Sequence, residues 1–187
     1  MDQIIKKNGK KEFIHFDSLI ITDNIKDRIR YYHFIVSRKE IINCVNKLII
    51  WLQKKMHVNR IKNLDLQIMK GCNWFSITEE CAKYVLQKEN ETKKMFRFSC
   101  CGDELFLQTI VYNSKFRSNI SIHNYQDNYE CCLRLIDWKR GYPYTFRSQD
   151  FQSLINSECL FARKFDYLSY PDVIDDLFKY LLNKKKK

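Results

Sequence analysis

Asp103 and Glu104 stand side by side just before Leu105, Phe106, Thr109 and Ile110, whose spacing predicts a helix. General-base chemistry would need one such carboxylate. On residue types alone, however, the pair reads as a helix start, where negative charge is favoured electrostatically. Arg147 and Lys164 read in the same way as solvated surface charges, and Trp138 as a core aromatic. Eight cysteines (Cys44, Cys72, Cys81, Cys100, Cys101, Cys131, Cys132, Cys159) raise metal and disulfide readings. No Cys-x-x-Cys pair occurs, the doublets cannot both easily face one ion, and His15, His33, His57 and His123 share no ligand spacing. The expectation is buried, reduced thiols and no metal.

The elements that must position these residues follow from periodicity. A short strand is expected over 11–16 and an extended segment from Ile29 to Val36. From Lys39 to Met56, the residues Ile41, Val45, Leu48, Leu52 and Met56 form one helical stripe, read as core packing. Residues 57–70 form a polar connection into Gly71. Ser76 with Glu79 has capping-box spacing, Thr78 is an alternative cap, and the helix should end near Gln87. Cys131 to Trp138 alternates like a strand, and Ser148 should cap a short helix with Phe151, Leu154 and Ile155. Pro171 can open a last helix with the stripe Val173, Ile174, Leu177, Phe178 and Leu181. Strands mixed with helices imply an α/β domain over 1–183, with a basic tail at 184–187.

The composition bounds the function. The 187 residues are 45% hydrophobic and 14% aromatic, enough for a folded core. The longest apolar run, Leu48–Leu52, is far too short to span a bilayer, and no secretory signal is visible. An intracellular domain is expected, cytoplasmic or peripheral at a membrane surface. Residues 1–64 hold 14 Lys/Arg against 6 Asp/Glu, within a net charge of +11. A basic third could bind nucleic acid. A lysine-rich composition with a solvated tail explains it as well, and no nucleic-acid-binding signature is present.

Four stretches in order resemble the core-2/I-branching β-1,6-N-acetylglucosaminyltransferase family, which includes peptide O-xylosyltransferases. Gly71-Cys72-Asn73-Trp74-Phe75-Ser76-Ile77-Thr78 is similar to its Gly-Ser-x-Trp-Phe-x-Leu-Thr segment, and Asp103 to Thr109 to its Pro-Asp-Glu-x-x-x-x-Thr. Leu133 to Trp138 is similar to its Arg-Tyr-x-x-Trp strand, and Leu160 to Asp166 to Leu-Phe-Ala-x-Lys-Phe-Asp. The likeness covers residues 10 to 180, with Gly102 where the family has proline.

This resemblance implies a GT-A-like domain, a mixed sheet flanked by helices, lacking the family's N-terminal nucleotide-binding βαβ region. It implies inverting transfer of N-acetylglucosamine or xylose from a UDP-sugar to a glycan or protein hydroxyl. The other outcome is a non-catalytic remnant of the fold. Glu104 matches the family's base, Arg147 and Lys164 its diphosphate-binding cations, and Trp138 an aromatic on the acceptor side. Arg28 and Arg30 fall near the acceptor side and are assigned no role. No Asp-x-Asp occurs, so the transfer is expected to need no metal or other cofactor.

Overall fold

A computed structural model describes residues 9–17, 21–34, 40–121 and 130–185. The chain divides into residues 10–120 and a second unit comprising Gly9 and the described residues from Ser121 onward; each is described by itself.

In the first unit, strand β1 (Phe13–Ile14) pairs antiparallel with β2 (Phe75–Ser76), placing Phe13 opposite Ser76 and Ile14 opposite Phe75. The expected strand over 11–16 is therefore shorter, with Glu12 adding a bridge to Ile120. Glu12 is fully buried, and an unpartnered carboxylate there would be costly. Its oxygens accept from the Thr78 amide at 2.8 Å and the Thr78 hydroxyl at 2.6 Å. That hydroxyl also accepts from the Cys81 amide at 3.2 Å, so Thr78 rather than Ser76 caps the helix that runs Glu79–Gln87.

Helix α1 (Asp23–Arg30) takes the start of the segment read as extended; 31–34 form no strand, and 35–36 lie outside the described residues. Helical spacing overrides the β-branched and aromatic bias here. Ile25 and Ile29, four apart, pack with Ile68 and Leu105, and Arg30 reaches Asp27 at 2.8 Å and Asp23 at 3.2 Å.

Helix α2 (Glu40–Lys55) lies where its periodicity places it but is turned the other way. Val45, Leu48, Leu52 and Met56, the stripe read as core, are exposed, Met56 by 74%. The side chain of Ile41 lies outside the described residues. The inward face is anchored instead by buried Gln53, whose amide donates to the Tyr32 carbonyl at 3.0 Å and accepts from the Tyr32 amide at 2.8 Å. A buried amide satisfied at both ends fixes the helix rotation. The capped helix above, α3 (Glu79–Gln87), is followed by α4 (Glu89–Phe96), which the periodicity did not reveal.

Asp103 and Glu104 occupy a 3-10 turn, Gly102–Glu104, ahead of α5 (Phe106–Tyr112), rather than the first turn of that helix. From α5, Leu107, Val111 and Tyr112 join Ile14, Phe16, Met69, Cys81 and Phe116 in the core. Burial, with the charge of Glu12 adding to it, pushes the Cys81 thiol up to about 12. Among the described residues, the eight cysteines form no disulfide. Cys81, Cys131 and Cys132 are buried as expected, whereas Cys44 and Cys101 are exposed.

In the second unit the run read as a strand over 131–138 is extended only at β3 (Arg134–Ile136). Cys131 and Cys132 lie in a 3-10 turn, and Leu133, at φ 57°, breaks the alternation. Ser148 opens a 3-10 turn, Ser148–Asp150, leading into α6 (Phe151–Asn156). Strand β4 (Phe161–Arg163) pairs parallel with β3, with Ile136 opposite Arg163. Helix α7 (Pro171–Lys185) starts at Pro171 and takes in Lys184 and Lys185 of the basic tail. Val173 is fully buried, but Phe178 and Leu181 of its expected stripe are exposed. The element composition is α/β, with the sheets among the described residues being two separate two-stranded ladders. Among those residues, no helix is long and apolar enough to cross a membrane.

Candidate functional site

The 67–72 segment is held along one side of α5 by polar side chains of that helix and of Asn113, which caps its C-terminal end. Asn113 bonds the Gln67 amide at 2.9 Å and carbonyl at 2.8 Å. Buried Thr109 accepts from the Met69 amide at 3.0 Å, and buried Gln108 donates to the Cys72 carbonyl at 2.7 Å. These contacts show why an Asp-Glu stretch continues to Gln108 and Thr109: the helix that follows the carboxylates also fixes the Gly71 segment beside them. The Gly71 amide closes the arrangement by donating to the Glu104 carbonyl at 3.0 Å.

A Cβ at Gly71 would overlap the His15 carbonyl oxygen and lie 2.9 Å from Gln108 Nε2. Gly71→Ala is therefore expected to destabilise this unit by about 2–3 kcal/mol, as overpacking does. The measurement is the denaturant midpoint, which should fall with the slope unchanged. A wild-type midpoint would show that the backbone yields at no cost.

The Glu104 side chain is 39% exposed and is gripped on one oxygen. Arg28 of α1 donates to Oε2 from Nη1 and from Nη2, each at 3.1 Å, and Lys70 Nζ stands 3.9 Å from the same atom. Among the described residues, Oε1 takes no hydrogen bond. The guanidinium is itself fixed, with Nε donating to the Cys100 carbonyl at 2.9 Å and Nη2 to the Cys101 carbonyl at 2.7 Å. Lys70 also pairs with Asp17, which lies 3.4 Å from His15 Nδ1. Asn73 Nδ2 approaches Asp103 Oδ2 at 3.4 Å.

Behind this row, Arg60 bonds the carbonyls of Ile29 and Tyr31 at one end of α1 and those of Met95 and Arg97 at the end of α4. It lies over the Tyr32 ring at 4.5 Å. One side chain thus satisfies carbonyls at two helix ends and ties the end of Arg28's helix to the end of α4. Sequence reading assigned no role to Arg28 and did not single out Lys70 or Arg60.

Arg147, Lys164 and Trp138 belong to the second unit. The Phe146 amide donates to the Lys164 carbonyl at 2.9 Å and the Lys164 amide to the Tyr144 carbonyl at 3.3 Å, so the 144–147 and 164 backbones run side by side. Both charged side chains are exposed. The Arg147 guanidinium lies 4.9 Å from the Tyr170 ring centre and 5.7 Å from that of Tyr144. Trp138 is half-buried in the turn after β3.

Asp150, which sequence reading passed over, holds this turn. It is buried and accepts from the Arg147 amide at 2.9 Å, Arg140 Nη1 at 2.7 Å and the Tyr144 hydroxyl at 3.2 Å. Burial works to raise its pKa; the Arg147 amide, Arg140 and Tyr144 outweigh that and hold its carboxyl below the usual range. Arg140 also binds Asp137 through Nε at 2.5 Å and lies over the Tyr144 ring at 4.0 Å. Among the described residues, no cluster of His, Cys, Asp and Glu could hold a metal ion.

The first unit thus holds Glu104 beside a guanidinium, and the second holds Arg147 and Lys164 on neighbouring backbones. The Core-2/I-Branching enzyme profile, which describes a family of glycosyltransferases, matches residues 3–156. This chain belongs to that family. The matched span includes Glu104, Trp138 and Arg147, and ends before Lys164. No curated protein matches the sequence.

Proposed function

We propose that this protein is an inverting glycosyltransferase of GT-A-like fold, transferring N-acetylglucosamine or xylose from a UDP-sugar to a hydroxyl of a glycan or protein. The observation that carries the reading is Glu104, held by Arg28 and Lys70 at Oε2 with Oε1 left to accept a proton. The acceptor hydroxyl attacks the anomeric carbon from the face opposite the nucleotide, Glu104 takes its proton, and UDP departs as an anion. A glycosidase needs a second carboxyl group to protonate its leaving group. A departing diphosphate needs positive charge instead, which Arg147 and Lys164 supply. The guanidinium grips phosphate bidentately, and the ammonium acts as a compact charge. Trp138 offers its ring face to the acceptor sugar.

With fixed cations in place of a divalent ion, and no Asp-x-Asp in the sequence, transfer is expected to persist in excess EDTA. The assay is UDP release with a hydroxyl acceptor, with the anomeric configuration of the product read by NMR. Full activity under EDTA and an inverted product support the proposal. Activity abolished by EDTA and restored by Mn²⁺ would overturn the role of the cations, and a retained configuration would overturn the mechanism.

A further inference from the structure

The thiols of Cys100 and Cys101 lie 3.8 Å apart, sulfur to sulfur, with Cys101 exposed and Cys100 partly covered. Cys101 occupies the left-handed region at φ 49° and ψ 52°. Their backbone is the seat of Arg28: both carbonyls accept from its guanidinium, and the Cys100 amide donates to the Arg28 carbonyl at 2.9 Å. The Glu104 amide donates to the Cys101 carbonyl at 3.2 Å.

We propose that Cys100 and Cys101 form a reversible oxidation site, at which a peroxide joins the two sulfurs and so loosens Arg28's hold on Glu104. The effect on activity rests on the role given to Glu104 above; the thiol chemistry does not.

The exposed Cys101 sulfur, as thiolate, attacks one oxygen of hydrogen peroxide. The O–O bond breaks, hydroxide leaves and takes up the thiol's proton as water, and Cys101 becomes a sulfenic acid. The Cys100 sulfur then attacks Cys101 Sγ, the S–O bond breaks, and a second water leaves with the Cys100 proton. Two thiols have lost two electrons and two protons, and the peroxide has become two waters.

The product is an eight-membered ring containing the Cys100–Cys101 peptide. The sulfurs must close to about 2.05 Å, while neighbouring Cα atoms stand only about 3.8 Å apart, below the roughly 4.4–6.8 Å usual for disulfides. The ring can close only by turning the peptide between the cysteines, and that peptide carries the carbonyl that accepts Arg28 Nε. The same misfit makes the bond readily reversed by a small thiol.

The test treats the reduced, full chain with a few equivalents of hydrogen peroxide. It reads the tryptic peptide 98–115 by mass spectrometry and amide hydrogen exchange at Cys100 and Glu104 by NMR. The expected result is a loss of about 2 Da within that peptide ahead of oxidation elsewhere, reversed by dithiothreitol and absent in Cys101→Ser. Exchange at the two amides should rise roughly tenfold with it. Oxygen addition without the 2 Da loss, pairing of these cysteines with others, or a 2 Da loss without faster exchange would each overturn the proposal. None of these readouts depends on Glu104 being a base, so this proposal and the function above fail separately.

Discussion

Glu104→Gln should lose about 10²- to 10⁴-fold in turnover, the range that a positioned general base supplies. The amide is nearly isosteric and its oxygen can still accept from Arg28, so the 100–105 turn and the two hydrophobic clusters of the first unit should be retained. Circular dichroism and the denaturant midpoint check the fold, and UDP release at saturating donor and acceptor checks the rate. Loss of rate with an unchanged midpoint assigns Glu104 to the chemistry. Near-wild-type turnover would remove it from the mechanism and leave Arg28 and Glu104 as a structural ion pair.

The second large effect belongs to Arg147 and Lys164. Negative charge accumulates on the departing diphosphate as the bond to the sugar breaks, so cations aimed there stabilise the transition state more than the bound donor. Arg147→Ala and Lys164→Ala should each raise the barrier by on the order of 2–4 kcal/mol, with a smaller effect on acceptor affinity. Because both would act on one diphosphate, the double variant should lose less than the two single losses combined. Neither side chain is buried, so neither change should lower stability appreciably. Full additivity would separate their roles, and unchanged kcat in both would withdraw them from the donor site.

What could be read in the sequence was mostly local. Pro171, Thr78 and the stretch after Glu104 announced helices because capping and spacing act within a few residues. Short motifs likewise pointed to the family, since the Gly71, Asp103-Glu104 and Trp138 stretches keep their order along the chain. What the sequence hid was mostly long-range. Arg28 lies 76 positions from Glu104 and Arg60 lies 37 from Arg97, and no periodicity connects such partners. The rotation of α2 was misread because an apolar stripe marks a core face only when nothing else holds the helix. Here the Gln53–Tyr32 clasp, 21 positions apart, turns a different face inward. Leu133 illustrates the remaining kind of miss, a single left-handed residue that ends a strand pattern without a glycine to signal it.

Action of this family member on a UDP-sugar requires that the folded chain bind UDP, which calorimetric titration of the full chain with UDP in the presence of EDTA measures. The expected result is saturable binding of one UDP per chain, weakened in Arg147→Ala and in Lys164→Ala and unchanged in Glu104→Gln. No heat of binding to the folded wild-type chain would contradict it and make the protein a non-catalytic member of the fold.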